Sequence, residues 1–572
     1  MVSRHDEYER ARGRNLSLID AMKRIFWACW LTVACGAAAT LLLSSPLPPL
    51  SPHVKSASIA RLAAGLIHDG VSRTLAERLA VSGLTAAFGS LPATASSAPK
   101  ARRIADAAAA VQAALEDLSS LPPSERSSQS YIWIPAWMPP ESLKIVSGAL
   151  NLALSRSEAI YRPIALRLKL GGFIVRYDAR MLTNTTEELR NLESVRASLS
   201  IHEPYLHANR DGVIAFGYHT GSQAMSELAQ QTESAIPLVR ADWFIRYAVS
   251  NLDGGRYYDF QAIERKPKKG TAEQAWYDSL GAREADLNAT QRSLIDRSAV
   301  TGKQRRIDCL PQLRIRPGAA AGTLFVTHDI SNEQQAQAAS DPAANLIKLE
   351  DAAREAIAFK TNGLCQFALF KADGSLQDSA PENVVVDHLI PAPHTRQLQA
   401  AIGCIRCHGG QDGYHAIHND AANLFGGRLT NFGDLSLAKQ LDVRAQIQLL
   451  AGLYAGRPDK PLNRARDDYS EAVWAATGGL SVPEFSAGVA RIFGDYSYLQ
   501  VTPRQALLEV GWDVGEADAP ALIRNLVADL APEHGISPED AAIGTLKEGG
   551  SISRPRWERC FADFSYRAYQ QN

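Results

Sequence analysis

Methionine is scarce in this chain. The 572 residues include five, Met1, Met22, Met138, Met181 and Met225, so none lies in the C-terminal 347 positions. Cysteine is sparse as well, and seven residues are too few for a disulfide scaffold over this length. No Gly-rich nucleotide loop, Ser nucleophile elbow or His-Glu-x-x-His metal motif occurs, which weakens any hydrolase reading. Charge of one sign is also missing. The 60 Lys and Arg against 61 Asp and Glu leave a net charge of -1, with no basic excess for nucleic acid and no long-range steering field.

Against these absences stands one dense stretch, Ala401-Ile-Gly-Cys404-Ile-Arg-Cys407-His408-Gly-Gly410. Cys-x-x-Cys-His is the attachment signature of c-type haem. Two thiols three positions apart add to the two vinyl groups of one porphyrin, and the next residue, His408, becomes the proximal iron ligand. With 7 Cys and 13 His, chance would produce the motif in about two per thousand such chains, so it carries weight. Two other chemistries use this spacing. A dithiol redox site wants a following helix, which Gly409-Gly410 disfavours. A zinc site needs two further ligands, and only His415 and His418 are at hand, without a second Cys pair.

The N-terminal 24 residues are rich in Arg and Lys, and Ile25 to Leu43 follow as 19 residues without a charge. As a helix that run spans about 28 Å, enough for a hydrocarbon core of about 30 Å, with the N-terminus inside. Residues 1–45 therefore read as a membrane anchor or as a signal segment starting near Met22 and cleaved near Ala37-Ala38-Ala39. Either way the bulk of the chain is exported, in agreement with haem c, which bacteria attach outside the cytoplasmic membrane.

The rest divides by pattern. Residues 46–125 form an Ala-rich helical spacer after Pro46-Leu-Pro48-Pro49. Residues 126–265 form an α/β domain, with a strand in Tyr131–Trp137, a helix over Glu141–Ser157, a strand in Gly171–Asp178 and a helix from Val239 to Tyr247. Its aromatic residues fit a core between helix and sheet better than a ligand pocket. Residues 266–430 contain strands at Thr323–Asp329 and Gly363–Phe370, a hairpin turn at Asp373-Gly374, and end in the haem segment. Residues 431–572 are helical. Ser481-Val-Pro-Glu484 and Thr502-Pro-Arg-Gln505 have capping-box form, and Pro538 opens another helix. The expected class is α+β multidomain: a mixed α/β central region, a c-type haem-binding segment and an all-α C-terminal domain. Cys309 and Cys365 are either bridged or buried as thiols.

Several of these stretches follow one order: Tyr131–Trp137, Gly172–Leu182, Ala241–Phe260, Arg297–Gly302, Asn362-Gly-Leu, Asp373-Gly, Ala380-Pro-Glu, the Cys-x-x-Cys-His motif, and Gly549-Gly with Arg554 and Trp557-Glu558. That order resembles large exported single-haem cytochrome-c-like proteins of environmental bacteria, over roughly residues 125–572. The resemblance implies haem c on Cys404 and Cys407 with His408 on the iron, and no particular substrate. The chain departs from it in the Ala-rich N-terminal segment and the His-containing segment after the motif.

The sixth iron ligand decides between functions. No Met follows the motif, so the candidates are His418, His388, His394 and His415, or an open position. Arg406 and Arg396 are candidates to pair with haem propionates. A bis-His iron is closed to small ligands and suits electron transfer, whereas an open one admits gas or peroxide. The leading expectation is a periplasmic monohaem c-type cytochrome, an electron carrier more than a catalyst. It would be tethered to the inner membrane through residues 25–43, or secreted after cleavage, and would dock redox partner proteins in the envelope. The alternatives are a haem-based redox or gas sensor, or a haem enzyme such as a peroxidase, although c-type peroxidases usually carry two such motifs.

Overall fold

A computed structural model describes residues 101–570 except 154–158, 183–195, 197–202, 207–222, 252–253, 283–289, 299–300, 311–320, 336–350, 410–413, 415–416, 418, 422–435, 457 and 528–537. The expected anchor at 25–43, and His415 and His418, lie outside these residues. No helix among the described residues is long and apolar enough to cross a membrane.

The chain enters through a two-residue strand β1 (Arg102–Arg103) and helix α1 (Ala107–Ser119), capped by Asp106, whose carboxylate accepts from the Ala109 amide. This end of the Ala-rich segment is core rather than stalk. Ala110, Val111, Ala114 and Leu118 recur at helical spacing and are fully buried. Their face packs on a four-stranded sheet built from β2 (Gln129–Ile134), β3 (Ile164–Arg167), β4 (Phe173–Asp178) and β5 (Leu238–Arg240), in the order β3-β4-β2-β5. Only the β2–β5 pair is parallel. Helix α2 (Ser142–Ala153) crosses between β2 and β3, α3 (Gln223–Thr232) precedes β5, and α4 (Ala241–Ala248) follows it directly.

Beyond α5 (Ala272–Ser279) comes an antiparallel meander of five strands, β6 (Gln291–Ile295), β7 (Arg305–Leu310), β8 (Ala321–Asp329), β9 (Ala353–Lys360) and β10 (Cys365–Lys371), each hydrogen-bonded to the next. The Cys-x-x-Cys-His motif forms the short helix α6 (Ile402–His408). Then follow α7 (Leu437–Leu453), α8 (Asp459–Thr477), α9 (Val482–Tyr498), α10 (Pro503–Glu509), β11 (Trp512–Asp513), α11 (Ala519–Leu526), α12 (Pro538–Lys547) and α13 (Arg554–Gln570). The described fold is thus α+β. The C-terminal region is helical except for β11, which returns to pair with β1. The Ser481–Glu484 capping box is complete. At Thr502 only the Thr hydroxyl caps, since the Gln505 side chain turns instead to Glu509.

Ala98–Asn572 packs as one compact unit. Two devices hold it together. The first is an ionic lock. Arg240 at the end of β5 lies fully buried, chelating Asp242 at 2.7 and 3.0 Å and donating to Glu509 at 2.7 Å. Glu509, equally buried, also accepts from Arg554 at 2.7 Å, the Trp557 indole at 2.7 Å and Gln505 at 3.0 Å. The Arg240 guanidinium stacks 3.4 Å from the Tyr205 ring centroid. The second device closes a sheet edge. Strand β10 is the outer strand of the meander, and an uncovered edge invites pairing with another chain. Tyr257 and Tyr258 cover it, their hydroxyls accepting from the Phe367 amide at 2.8 Å and the Leu369 amide at 3.1 Å. Tyr258 also donates to the Gln377 carbonyl at 2.6 Å. These tyrosines are core residues, as the aromatic pattern predicts.

The disulfide alternative fails on register. Cys309 on β7 is in line with Phe325, Ile357 and Phe367 on the next three strands. Cys365 lies on the last of those, three strand spacings or about 14 Å away. A disulfide needs Cα atoms within about 7 Å. Both residues are buried free thiols.

Candidate functional site

Alternation along the meander decides which side chains meet the motif helix. On β9, Glu355, Ile357 and Phe359 share a face, and on β10 their partners Leu369, Phe367 and Cys365 lie beside them. This face carries α6. A turn between β9 and β10 at Gly363, with φ of +82°, lets α8 press close, since a Cβ there would sit 2.6 Å from the Asp468 carbonyl oxygen.

Helix α6 is fixed at both ends. At its start, Ala401 adopts φ 66° and ψ −71°, and the Ile402 amide donates to the Ala400 carbonyl at 3.0 Å. This is a γ-turn of the strained sense, seldom adopted by a residue with a side chain. At its end the Ser486 hydroxyl of α9 donates to the Ile405 carbonyl at 2.7 Å. Gly409 makes that approach possible, because a Cβ there would lie 2.1 Å from the Ser486 Cβ. Gly409 thus stops the helix at His408, the break that its place in the sequence predicts.

Cys404, Cys407 and His408 stand at i, i+3 and i+4, on one side of α6. Cys404 is fully buried and Cys407 is exposed; neither is bridged. His408 is flanked by two nearly parallel rings, Tyr414 at 4.4 Å and 14° and Phe367 at 6.4 Å and 5°. Its Nε2 faces the Glu355 carboxylate at 3.3 Å. Burial works to raise Glu355, but the hydrogen bond and charge of His408, then Arg305 and the Cys404 thiol, hold it down to about 2. Arg305 is itself chelated by Asp329 at 2.5 and 2.9 Å. Burial, then the charge of Glu355, pushes the Cys404 thiol well above its ordinary range. Burial, Glu355 and Asp387 push Cys407 up to about 11.

The exposed Cys407 opens on a cleft of about 440 Å³ that also holds His388, Lys303, Val384, Leu389 and Leu398. The Lys303 ammonium is taken up by the carbonyls of Asn383 and Val384. Arg406, inside the motif, forms a buried ion pair with Asp387. Arg396 donates to the Ile390 carbonyl at 3.2 Å. Arg406 is thus paired with Asp387, whereas Arg396 uses one of its donors and is exposed. Of the remaining histidines, His394 stacks on Tyr498 at 4.8 Å. Among the described residues no group of three or more His, Cys, Asp or Glu has the form of an ion-binding cluster.

The donor chemistry fits a covalently held haem. Two thiols and one imidazole share a side of one anchored helix, aromatic rings lie beside the imidazole, and a cleft of mixed apolar and polar lining adjoins the second thiol, though not Cys404 or His408. The group that must yield is Glu355, whose carboxylate lies against Nε2. Sequence reasoning missed Glu355, Arg305 and Asp387. Glu355 had a signal: period-two alternation puts it on the same face as Ile357 and Phe359, an inward charge in an apolar strand. Asp387 had none, because its pairing with Arg406 depends on the folded loop.

No family model, curated protein or solved structure matches this chain.

Proposed function

We propose that this protein is an exported monohaem c-type cytochrome, with haem c on Cys404 and Cys407, His408 on the iron, and single-electron transfer as its function. The observation that carries it is the position of the three donors on one side of α6, with Cys407 open to a cleft. When bound, haem would supply a ferric/ferrous couple. The chain's own residues would hold that group. Cys404 and Cys407 would hold it covalently and His408 would ligate its iron, with the Tyr414 ring stacked on the imidazole. Ser486, Gly409 and the Arg406–Asp387 pair hold the helix in place.

The thiol state favours this over dithiol exchange. A nucleophilic cysteine needs its thiolate stabilised, whereas burial and Glu355 favour the protonated thiol at both positions. The region before residue 101 would tether the protein to the inner membrane through 25–43, or be cleaved. Envelope redox proteins would be its partners.

The test is expression of the full chain with haem-maturation machinery, followed by denaturing electrophoresis with haem staining and mass analysis. One covalently bound haem is expected in the wild type and none in the Cys404→Ala, Cys407→Ala double variant. A folded wild type without haem would sink the proposal and return attention to the thiols.

A further inference from the structure

We infer, independently of the haem reading, that His328 is a pH-sensitive switch built into the five-stranded meander, where a single proton on Nε2 decides whether Arg306 or Asp308 is its partner. Strand register assembles the site. His328 on β8 stands directly opposite Arg306 on β7 and Arg354 on β9. Alternation turns this row away from the face that carries α6, to which Glu355 belongs. Three basic side chains in a row need anions, and three are present. Asp351, just before β9, lies 2.7 Å from His328 Nδ1 and pairs with Arg354. Arg354 also pairs with Glu273 of α5. Asp308 of β7 places Oδ2 3.3 Å from His328 Nε2. Burial works against both aspartates, but their hydrogen bonds to His328 hold them below the ordinary carboxylate range. His328 itself is 7% exposed, so these partners are not readily exchanged for water.

An ionised carboxylate only accepts, so Nδ1 carries a proton throughout. The conflict lies at Nε2. Arg306 Nη2 lies 3.0 Å from it and only donates, whereas Asp308 only accepts. A bare Nε2 serves the arginine and gives Asp308 nothing. A protonated Nε2 serves Asp308 and turns Arg306 away. The groups that take up the change are loosely set. Arg306 Nε and Asp308 Oδ1 are 3.0 Å apart, yet both are buried and neither makes a hydrogen bond. Arg292 of β6 approaches the same oxygen at 3.5 Å, its Nε also buried without one. A guanidinium released from Nε2 therefore has an acceptor waiting.

The other titratable neighbours are engaged elsewhere. Asp329 chelates Arg305 on the opposite face, and Tyr277 of α5 donates to Glu273 at 3.5 Å. Arg306 also reaches the Tyr454 hydroxyl, one residue past α7, so its movement bears on where that part of the chain is fastened to the sheet. Burial alone would keep the imidazole neutral. Asp308 and Asp351 favour its charged form, and the balance raises it above its ordinary value near 6.5. The protonated pairing is thus complete below about pH 6.5 and lost as pH rises through the raised value.

The experiment follows histidine ¹⁵N resonances of the full chain from pH 5 to pH 9, with His328 identified by its absence from His328→Gln or His328→Asn. Nδ1 is expected to stay protonated while Nε2 changes from donor to acceptor, with a midpoint above 6.5. Asp308→Asn should lower that midpoint by about one pH unit or more. Hydrogen exchange over residues 437–454, corrected for its intrinsic pH dependence, should differ between pH 6 and pH 9 in the wild type and not in His328→Gln. The wild-type thermal midpoint should also fall more over that range than the variant's. A purely structural histidine would move none of these. A His328 that does not titrate, a neutral form with its proton on Nε2, or a midpoint unmoved by Asp308→Asn overturns the inference, as does corrected exchange that is the same at both pH values.

Discussion

Two glutamates, Glu509 fully buried and Glu355 partly so, mark two kinds of site in this molecule. Glu509 is enclosed by two arginines, an indole and an amide, each within 3.0 Å. Glu355 has a half-buried histidine at 3.3 Å, while the nearby Arg305 is already chelated by Asp329. The first carboxylate accepts hydrogen bonds on both oxygens, and the elements it joins, β5, α10 and α13, are far apart in sequence. The second is anionic and faces His408 and Cys404 of α6, the helix that opens with the strained turn at Ala401. The first carboxylate joins elements of the fold, whereas the second faces the side chains of the motif.

The contrast breaks most visibly at Glu509. Replacing it by Gln leaves Arg240 and Arg554 buried with their charge poorly met, and about 3–5 kcal/mol of stability should be lost in urea unfolding of the described unit. Acid should act on the same group. Burial raises Glu509, but Arg240, then Arg554, hold it below its ordinary value near 4.5. The contribution is therefore complete above about pH 4.5 and lost as pH falls through the lowered folded value. Unfolding midpoints measured from pH 6 down to pH 3 should fall less steeply in Glu509→Gln than in the wild type.

Glu355→Gln should be milder, about 1–3 kcal/mol, because Arg305 retains Asp329 and the amide still accepts from His408. Equal losses at the two positions would erase the distinction. Tyr258→Phe leaves the Leu369 amide without its acceptor, an expected loss of about 1–3 kcal/mol, with faster hydrogen exchange at that amide. The smallest effect runs the other way. Ala401→Gly removes a side chain from a positive-φ position, and a gain of about 1 kcal/mol in the haem-free protein is expected by thermal unfolding. A loss would mean that the turn is not strained.

Most of the regular structure was legible from local pattern. The strand at Tyr131, the helix after Pro139-Pro140, the Asp373-Gly374 turn and the Ser481 cap all rest on contacts within a few residues. The motif was legible because its chemistry is local too, with donors at i, i+3 and i+4. What could not be read joins distant residues. Arg240 meets Glu509 across 269 positions and Arg406 meets Asp387 across 19. Arg406 was open to a propionate for want of its partner, and the choice between a Cys309–Cys365 bridge and two buried thiols stayed open for want of the strand order. Arg554 and Trp557, which the resemblance singled out without a role, are parts of the Glu509 lock.

The smallest sheet sets a timetable. Strand β1 pairs only with β11, and Arg102 meets Asp513 across 411 positions. At a synthesis rate of about 5–20 residues per second, residues 102–104 wait about 20–80 s for that partner. The Cys-x-x-Cys-His segment emerges inside that interval, before its anchor Ser486 exists. Cys404, sealed in the finished fold, is then still within reach of whatever modifies it. A late strand closes an early one, so a chain cut short before residue 513 leaves β1 unpaired.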